Sequence, residues 1–498
     1  MPALQGRRTA VEGQALGYGK QEEGGRLIQG SISSAGYERF LAAKAVTAPP
    51  CGFDPKAAMP KGIKPFQRDI VKWACRRGRA AIFAATGLGK TIQELAWASQ
   101  VTKHTQGQVM LFTPLAVAEQ TVLEAKKFGI KGVAYAADRG AINSPIVVTN
   151  YDRREKFDLS AFAGVVCDES GILKDHASKT RMELTEACRD IPYLLCGSAT
   201  PAPNDWTELG QHAEFLGVMS AKEMLAMFFV HDGAVRANAE EDWRLKGHAQ
   251  DEFWRWVASW SVMIRHPRDL GYEEPGYDLP PLTMEQITVK VDGAPADGML
   301  FAMEANTLQE RMSARKNSIA ERVAKAAEIV ASKPNESWLI WCNLNAEADA
   351  LVKAIPGAVN VQGSDPTDYK VKNLLGFCQR QPRVLISKPS IAGRGMNWQH
   401  CSRQVYVGLN DSFEQLFQAV RRCWRFGQTR EVTAYLIASE LEGAVVSNLQ
   451  KKERKYEAMA DAMAAHMKEL TRNAVRGGRV SSSKYEPKQA MELPTWLQ

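Results

Sequence analysis

The sequence predicts an α/β protein with two parallel-sheet lobes, and three observations support this fold class. Short apolar runs alternate with segments of helical period across residues 61–217, and the alternation returns across residues 311–447. The chain has 498 residues, of which 45% are hydrophobic, so it is long enough for about three domains with ordinary cores. Alternating strands and helices are typical of βαβ units, in which helices cover a parallel sheet.

Each lobe is predicted from five apolar runs that have the length of strands. The runs of the first lobe are residues 80–84, 109–112, 146–149, 164–167 and 193–196. The runs of the second lobe are residues 338–341, 358–361, 383–386, 404–407 and 432–437. The lobes resemble each other in pattern and not in sequence, so no repeat architecture is predicted.

The other segments are predicted from turn residues, periodicity and charge. Residues 1–60 form a partly flexible N-terminal arm, because glycine and charged residues are mixed through its first part. Residues 218–310 form a helical insertion and linker between the lobes, with helices over 218–261 and an extended connection over 280–291. Residues 448–498 form a C-terminal helix and a flexible basic tail.

Composition narrows the class of protein. The formal net charge of +7 suits a polyanionic partner, although many proteins that bind none carry such a charge. The nine cysteines are scattered singly, so neither a zinc site nor a disulfide framework is predicted. No uncharged apolar run approaches the ~18 residues of a membrane span, and the N-terminus lacks the apolar core of a signal peptide. We therefore expect a cytoplasmic protein without a membrane partner.

A glycine-rich loop after the first predicted strand indicates a phosphate-binding site, or P-loop. Gly87 and Gly89 allow backbone N–H groups to converge on phosphate oxygens at the start of a helix. Lys90 can reach the β- and γ-phosphates, and Thr91 can hold Mg²⁺. A fortuitous helix start is the alternative, because Ala84 stands where the strict pattern has glycine. The expected ligands are ATP and Mg²⁺, and the predicted binding residues of the loop are Thr86, Gly87, Leu88, Gly89, Lys90 and Thr91.

A second chemical signature is an acidic pair, Asp168 and Glu169, directly after the apolar run 164–167. The carboxyl end of a parallel strand faces the ligand crevice, so Asp168 can hold Mg²⁺ there. Glu169 can orient and deprotonate the attacking water. The alternative is that the pair is only the polar start of a loop.

Arginines in the second lobe form a third signature. Gln418, Arg422 and Arg425 follow the spacing Q-x-x-x-R-x-x-R ahead of a Gly-Gln pair. A guanidinium from a facing lobe can bind the charge that spreads over a γ-phosphoryl group in transfer, but only when the lobes close. A solvated helix face is the alternative for such a charge run.

With these signatures in place, the chain resembles superfamily 2 helicase-like ATPases. It is nearest to the remodeller-type (Swi/Snf) branch, and especially to the compact forms that bacteriophages encode. The resemblance covers roughly residues 64–435. It implies two RecA-like lobes with ATP between them and a nucleic-acid strand across both.

The resemblance also implies roles for individual residues. Gln67 resembles the adenine-recognition residue, and Gly395 belongs to a second-lobe motif on the nucleotide side. Ser198, Thr200 and Gln418 match motifs that couple the ATP state to the bound strand. The catalytic set implied is Lys90, Asp168, Glu169, Arg422 and Arg425, with Thr91 and Asp168 on the metal. The residues implied to contact nucleic acid are Thr113, Pro114, Thr149, Asn150 and Ser364.

The chain departs from the family pattern next to the acidic pair. Ser170 and Gly171 stand where the family usually has Ala-His, and Lys388-Pro389 replaces small residues before the second-lobe glycines.

Two further segments have alternative interpretations. Phe253, Trp256, Val257 and Trp260 follow helical spacing, and Trp254 lies among them. They are predicted to form the buried face of a helix, with a stacking platform for bases as the alternative. The basic residues near the C-terminus can contact phosphates or form a solvated helix face; they are Lys451, Lys452, Arg454, Lys455, Arg472, Arg476 and Arg479.

The function predicted from these residues and the resemblance is an ATP-dependent DNA translocase or helicase. The expected partner is duplex or forked DNA, bound without sequence preference by a monomer, together with a replication or recombination protein. One alternative is a nucleotide-gated DNA clamp or adaptor that separates no strands. Another is an RNA helicase.

Overall fold

The structure is a computed structural model, and it describes residues 47–174, 178–203, 205–231, 243–290, 315–393, 396–409, 412–440 and 443–476. Most of the predicted N-terminal arm and the predicted basic tail after Arg476 lie outside these residues. The described end of the arm packs on the first lobe: the Phe53 ring stacks on His104 at 3.9 Å, and the Ala48 N–H donates to Ser259 Oγ at 2.9 Å.

The strands of the first part of the chain are β1 (Arg79–Ala84), β2 (Val109–Thr113), β3 (Val133–Tyr135), β4 (Ile146–Asn150), β5 (Gly164–Asp168), β6 (Tyr193–Ser198), β7 (Phe229–His231), β8 (Trp243–Leu245) and β9 (Ser261–Ile264). Seven of them form one parallel sheet in the order β3-β4-β2-β5-β6-β1-β9. β7 and β8 form a separate antiparallel hairpin. The central strands are buried on both faces, which explains why they are continuous apolar runs.

The helices of this part are α1 (Pro65–Arg77), α2 (Lys90–Thr105), α3 (Ala118–Lys127), α4 (Lys179–Ala187), α5 (Leu209–Phe215), α6 (Ala221–Phe228) and α7 (Gln250–Trp260). Short 3₁₀ turns connect several of them, and the turn Ser170–Leu173 follows β5 directly. On α7, the side chains of Phe253, Trp254, Trp256 and Trp260 are each 1% exposed or less. The prediction that this aromatic stripe is core is confirmed, and the stacking platform is wrong.

The second sheet has six parallel strands in the order β10-β15-β14-β11-β13-β12. They are β10 (Leu282–Val289), β11 (Trp338–Trp341), β12 (Ala358–Val361), β13 (Val384–Ser387), β14 (Arg403–Tyr406) and β15 (Val432–Ser439). The accompanying helices are α8 (Ile319–Ala331), α9 (Asn345–Ala354), α10 (Thr367–Cys378), α11 (Pro389–Ala392), α12 (Phe413–Val420) and α13 (Gly443–Arg476). The predicted α/β class with two parallel-sheet lobes and a C-terminal helix is confirmed.

The predicted helical insertion, residues 218–310, differs from the structure. Its described part contains the β7–β8 hairpin, and β9 pairs with β1 as an edge strand of the first sheet. β10, predicted as an extended connection, pairs with β15 in the second sheet. Residues 291–310 lie outside the described residues. The sequence analysis missed strand β9 because no turn residue separates it from α7. The apolar pattern of the helix therefore continues into the strand without a break.

Helix α13 links the two lobes. Tyr456 and Ala460 belong to the core of the second lobe, whereas Val475 belongs to the core of the first. Near its end, the Arg476 guanidinium lies 4.5 Å from the centre of the Tyr272 ring and donates to the Gly271 carbonyl at 2.6 Å. At Arg476, therefore, the basic helix docks on the first lobe through a side chain that is itself exposed.

Three expectations from the sequence concern disulfides, metal sites and membrane-spanning helices. All nine cysteines are free. Within the described ranges, no cluster of histidine, cysteine and acidic side chains has a geometry that could hold a metal ion by itself. No helix in the described part of the chain is long and apolar enough to cross a membrane.

Candidate nucleotide site between the two lobes

The predicted P-loop lies between β1 and α2, and both of its glycines are required by the backbone conformation, Gly87 also by space. Gly87 has φ of 96° and Gly89 has φ of 75°, a region that disfavours residues with a side chain. A Cβ on Gly87 would lie 2.8 Å from the Phe426 backbone nitrogen, and a Cβ on Gly89 would lie 2.4 Å from Gln67 Nε2. The loop can therefore keep this shape only with glycine at both positions.

The start of α2 offers groups that suit an anion. Lys90 is the first residue of this 16-residue helix, and its Nζ donates only a long hydrogen bond of 3.4 Å to the Ala84 carbonyl. The Thr86 hydroxyl is buried and has no hydrogen-bond partner among the described residues. Exposed N–H groups and the helix dipole favour phosphate at such an N-terminus. The residues present therefore fit the triphosphate of a nucleotide.

The acidic pair lies at the carboxyl end of β5, in the middle of the first sheet. Asp168 is 4% exposed, and its Oδ1 accepts a hydrogen bond from the Glu169 N–H at 2.9 Å. Burial, and then the charge of Glu169, raises the pKa of Asp168 to about 7, while Lys90 opposes the rise. A cation beside these carboxylates would relieve this cost, so the pair fits Mg²⁺.

Glu94 is a third carboxylate at this site, and the sequence analysis missed it. It is 1% exposed, and neither oxygen accepts a hydrogen bond from a described donor. Burial, and then the charge of Asp168, raises the pKa of Glu94 well above its usual range. A Cβ on Gly197 would lie only 1.9 Å from Glu94 Oε1. The available signal was an acidic residue one turn after Lys90 on the apolar face of α2.

The arginines of the second lobe follow α12. Arg422 is 2% exposed, and its guanidinium donates to the Met396 carbonyl at 3.2 Å and to Gln418 Oε1 at 3.2 Å. Burial, and then the charge of Arg425, lowers the pKa of Arg422 to about 10, while Glu169 opposes the shift. Arg425 donates to the Met396 carbonyl at 3.1 Å, and its buried Nε has no partner among the described residues.

Electrostatic attraction acts between the arginines and the acidic side of the first lobe. Burial lowers the pKa of Arg425, and the charges of Glu124 and Glu169 oppose that shift. Both glutamates belong to the first lobe, whereas Arg425 belongs to the second. The structure therefore brings together Lys90, Asp168, Glu169, Arg422 and Arg425, which are spread over more than three hundred residues of the sequence.

Direct contacts also close the lobes on each other. Gln418 Nε2 donates to Thr200 Oγ1 at 3.3 Å, and Thr200 N–H donates to Ser198 Oγ at 3.1 Å. Lys174 of the first lobe forms an ion pair with Glu414 of the second. The predicted coupling residues Ser198, Thr200 and Gln418 thus form one hydrogen-bonded chain across the interface.

Aromatic side chains line the Gln67 side of the site. The Phe426 ring stacks on Tyr277 at 4.5 Å, and Tyr277 meets Phe66 edge-on at 5.5 Å. Gln67 itself accepts from the Lys64 N–H at 2.9 Å and donates to the Leu88 carbonyl at 2.9 Å. In this conformation its amide braces the P-loop. The predicted adenine contact of Gln67 stays a prediction.

Three of the residues predicted to contact nucleic acid are buried. Thr113 and Thr149 are each 0% exposed and Asn150 is 2% exposed, because they end strands in the interior of the sheet. In this conformation these side chains offer no surface to a nucleic-acid backbone. Pro114 is half-buried and Ser364 is exposed. Gly395 lies outside the described residues.

A cavity of about 490 Å³ opens between the lobes beside Gln418. Pro114, Leu115 and Asp152 line it from the first lobe. Gly363 and Lys370 are among the residues that line it from the second. Pro114, Leu115 and Asp152, which follow the buried strand ends, therefore face this cavity. The strand ends Thr113, Thr149 and Asn150 do not line it.

Comparison with protein-family models and with curated proteins gives no match. Among solved structures, the chain is similar to the Sulfolobus solfataricus SWI2/SNF2 ATPase core in complex with dsDNA, at 17% sequence identity. The alignment covers 85% of this chain and 97% of that chain, with a TM-score of 0.37. A similarity of this size does not assign an activity or a ligand to this chain. It also does not support the predicted similarity to bacteriophage-encoded forms.

Proposed function

We propose that this chain is a DNA-stimulated ATPase of helicase superfamily 2, which couples ATP hydrolysis to movement along DNA. The observation that carries the proposal is the charge arrangement at the lobe interface. Lys90, Asp168 and Glu169 belong to the first lobe and Arg422 and Arg425 to the second, at an interface where Phe426 lies against Gly87 and Gln418 donates to Thr200. The charge of Glu169 acts on both arginines across it. This set has the charges that phosphoryl transfer to water requires.

Each group has a chemical role in the proposal. Asp168 and Thr91 would hold Mg²⁺, and Lys90 with the P-loop N–H groups would hold the phosphates. ATP, when bound with Mg²⁺, supplies the phosphoryl group that water accepts. Glu169 orients that water and takes its proton, and Arg425 binds the charge that develops as the bond to the leaving group breaks.

The hydrogen-bonded chain from Ser198 through Thr200 to Gln418 supports coupling between the nucleotide and the second lobe. Gln418 also lines the interlobe cavity, so a change at the nucleotide can reach a strand bound there. We propose that this cavity is part of the nucleic-acid track, with Lys370 as a phosphate contact. Contacts of this kind carry no sequence preference.

ATPase measurements across nucleic acids test the proposal. Turnover is measured without nucleic acid and with single-stranded, duplex, forked and four-way DNA, with RNA as a control. We expect DNA to raise the rate, and the stimulation to fall steeply with salt, with a slope of about −0.9 per neutralised phosphate on duplex. In the variant Lys370→Ala, the slope should become shallower by about one contact.

The same measurements separate the alternatives. Equal ATPase rates with and without DNA, or a flat salt response, would favour the nucleotide-gated clamp. Stimulation by RNA but not by DNA would favour the RNA helicase. Unpairing of a forked substrate, followed by a fluorescent strand, distinguishes a helicase from a translocase.

A further inference from the structure

Behind the acidic pair, a buried serine and a buried histidine are joined across the first lobe. Ser170 and His212 are each 0% exposed, and Ser170 Oγ lies 3.2 Å from His212 Nε2. Ser170 follows Glu169 directly, whereas His212 lies on α5. We infer that His212 is a positioning residue, which holds Glu169 in its catalytic conformation through Ser170. The catalytic part of this inference rests on the proposed function.

The backbone of Glu169 needs such an anchor. Glu169 has φ of 50° and ψ of 51°, the left-handed region that residues with a side chain rarely adopt. Such conformations persist only when the surrounding structure holds them in place. The first side chain after Glu169 is that of Ser170, which begins the turn Ser170–Leu173. A fixed Ser170 therefore fixes the direction of the Glu169 carboxylate.

The chemistry of His212 suits a permanent hydrogen bond. Burial lowers its pKa to about 4, so the ring is neutral near pH 7. A neutral imidazole has one donor and one acceptor nitrogen, and a hydroxyl can complement either. The pair therefore persists in both tautomers. The Cys196 thiol also hydrogen-bonds to Ser170, but a thiol is a weak partner, so loss of the imidazole would leave the buried hydroxyl poorly satisfied.

His212 is itself held by the strands that carry the other motifs. Its ring meets Phe83 edge-on at 5.3 Å, and Phe83 on β1 lies opposite Ser198 on β6 in the sheet register. Ser198 begins the chain of hydrogen bonds that reaches Gln418 of the second lobe. The pair thus connects the acidic residues to the coupling motif, although Ser170 and Gly171 replace the Ala-His usual in the family.

Four variants test the inference. Ser170→Ala and His212→Leu each remove the hydrogen bond between the two side chains. The double variant loses the same single hydrogen bond between them. His212→Gln keeps a polar group near the position of Nε2. Ser261→Ala is the matched control, because Ser261 is also 0% exposed and donates a hydrogen bond to the Val257 carbonyl at 2.8 Å, away from the acidic pair.

The kinetic readout is the split between kcat and ATP affinity. We expect kcat to fall about tenfold in each single variant, which corresponds to ~1.4 kcal/mol. The double variant should fall no further, because both changes remove one contact. ATP affinity should stay within about twofold. His212→Gln should recover most of the rate, and Ser261→Ala should lower thermal stability without lowering kcat.

Hydrogen exchange on the nucleotide-free protein gives a readout that needs no turnover. The amides of the turn Ser170–Leu173 should exchange faster in Ser170→Ala and His212→Leu than in wild type or Ser261→Ala. Unchanged exchange with unchanged kcat in an active enzyme would overturn the inference alone. If the wild-type protein hydrolyses no ATP, the proposed function is overturned. Faster exchange in the two variants would then still support the anchoring role of His212. Additive losses in the double variant would also contradict a single shared contact.

Discussion

Replacing Arg425 by alanine should abolish DNA-stimulated turnover while leaving the fold almost as stable. In the structure this side chain makes one hydrogen bond from Nη1, to the Met396 carbonyl at 3.1 Å, and its Nε makes none with the described residues. It faces Glu124 and Glu169 of the other lobe without an ion pair to either. Little of its interaction free energy is therefore realised before the reaction begins.

Arg425→Ala should lower the free energy of unfolding only slightly but should lower the catalytic rate by several orders of magnitude. Losing one hydrogen bond costs about 0.5–1.5 kcal/mol, and removing a half-buried guanidinium offsets part of that cost. An arginine finger contributes on the order of 10³ to 10⁵ in rate, or about 4–7 kcal/mol of transition-state stabilisation. Because the charge it meets develops mainly in the transition state, ATP affinity should change far less than kcat.

The assay compares three variants by ATP affinity, DNA-stimulated turnover and urea denaturation. Arg425→Lys should fail like Arg425→Ala, because an ammonium does not reproduce the planar guanidinium. Arg421→Ala is the matched control: its guanidinium lies 4.2 Å from the Trp424 ring and 5.0 Å from the Phe417 ring, within the second lobe. It should lose stability and keep turnover. A near-normal rate in Arg425→Ala would refute the reasoning and direct the test to Arg422.

Three other predictions concern the first lobe. Lys90→Ala should remove ATP hydrolysis while thermal stability stays near wild type, and an unchanged turnover rate in the folded variant would contradict the P-loop assignment. Glu169→Gln should bind ATP and trap it, as a filter-binding assay would detect, so failure to bind ATP would give Glu169 another role. Because burial raises the pKa of Asp168 to about 7, the nucleotide-free folded state keeps a proton that the unfolded chain releases above about pH 4. Through Asp168 the free energy of unfolding should fall as pH rises from about 4 to 7, whereas buried His212, whose pKa is lowered to about 4, contributes the opposite trend up to about pH 6.5. Asp168→Asn should therefore shift the pH slope in urea titrations towards a rise of stability with pH; an identical slope in both proteins would contradict the shift.

The sequence alone determined the parts of this protein whose physical cause is local. The glycine turn between β1 and α2 was predictable because a buried strand, two glycines and a helix start follow one another within a few residues, whereas its phosphate-binding role stays a prediction. The same holds for the acidic pair, which ends an apolar strand, and for the aromatic stripe of α7, whose spacing places Phe253, Trp256 and Trp260 on one buried face.

Only the tertiary structure decided which distant groups share the site. Glu94 appeared as one polar residue in a helix until the fold placed it against Gly197, with its carboxyl buried beside Asp168. No spacing in the sequence pairs His212 with Ser170, because the two residues lie on different elements. The sheet membership of β9 and the burial of Thr113 likewise depend on neighbours far along the chain. Short-range spacing carries no information on such contacts, since packing between elements sets them.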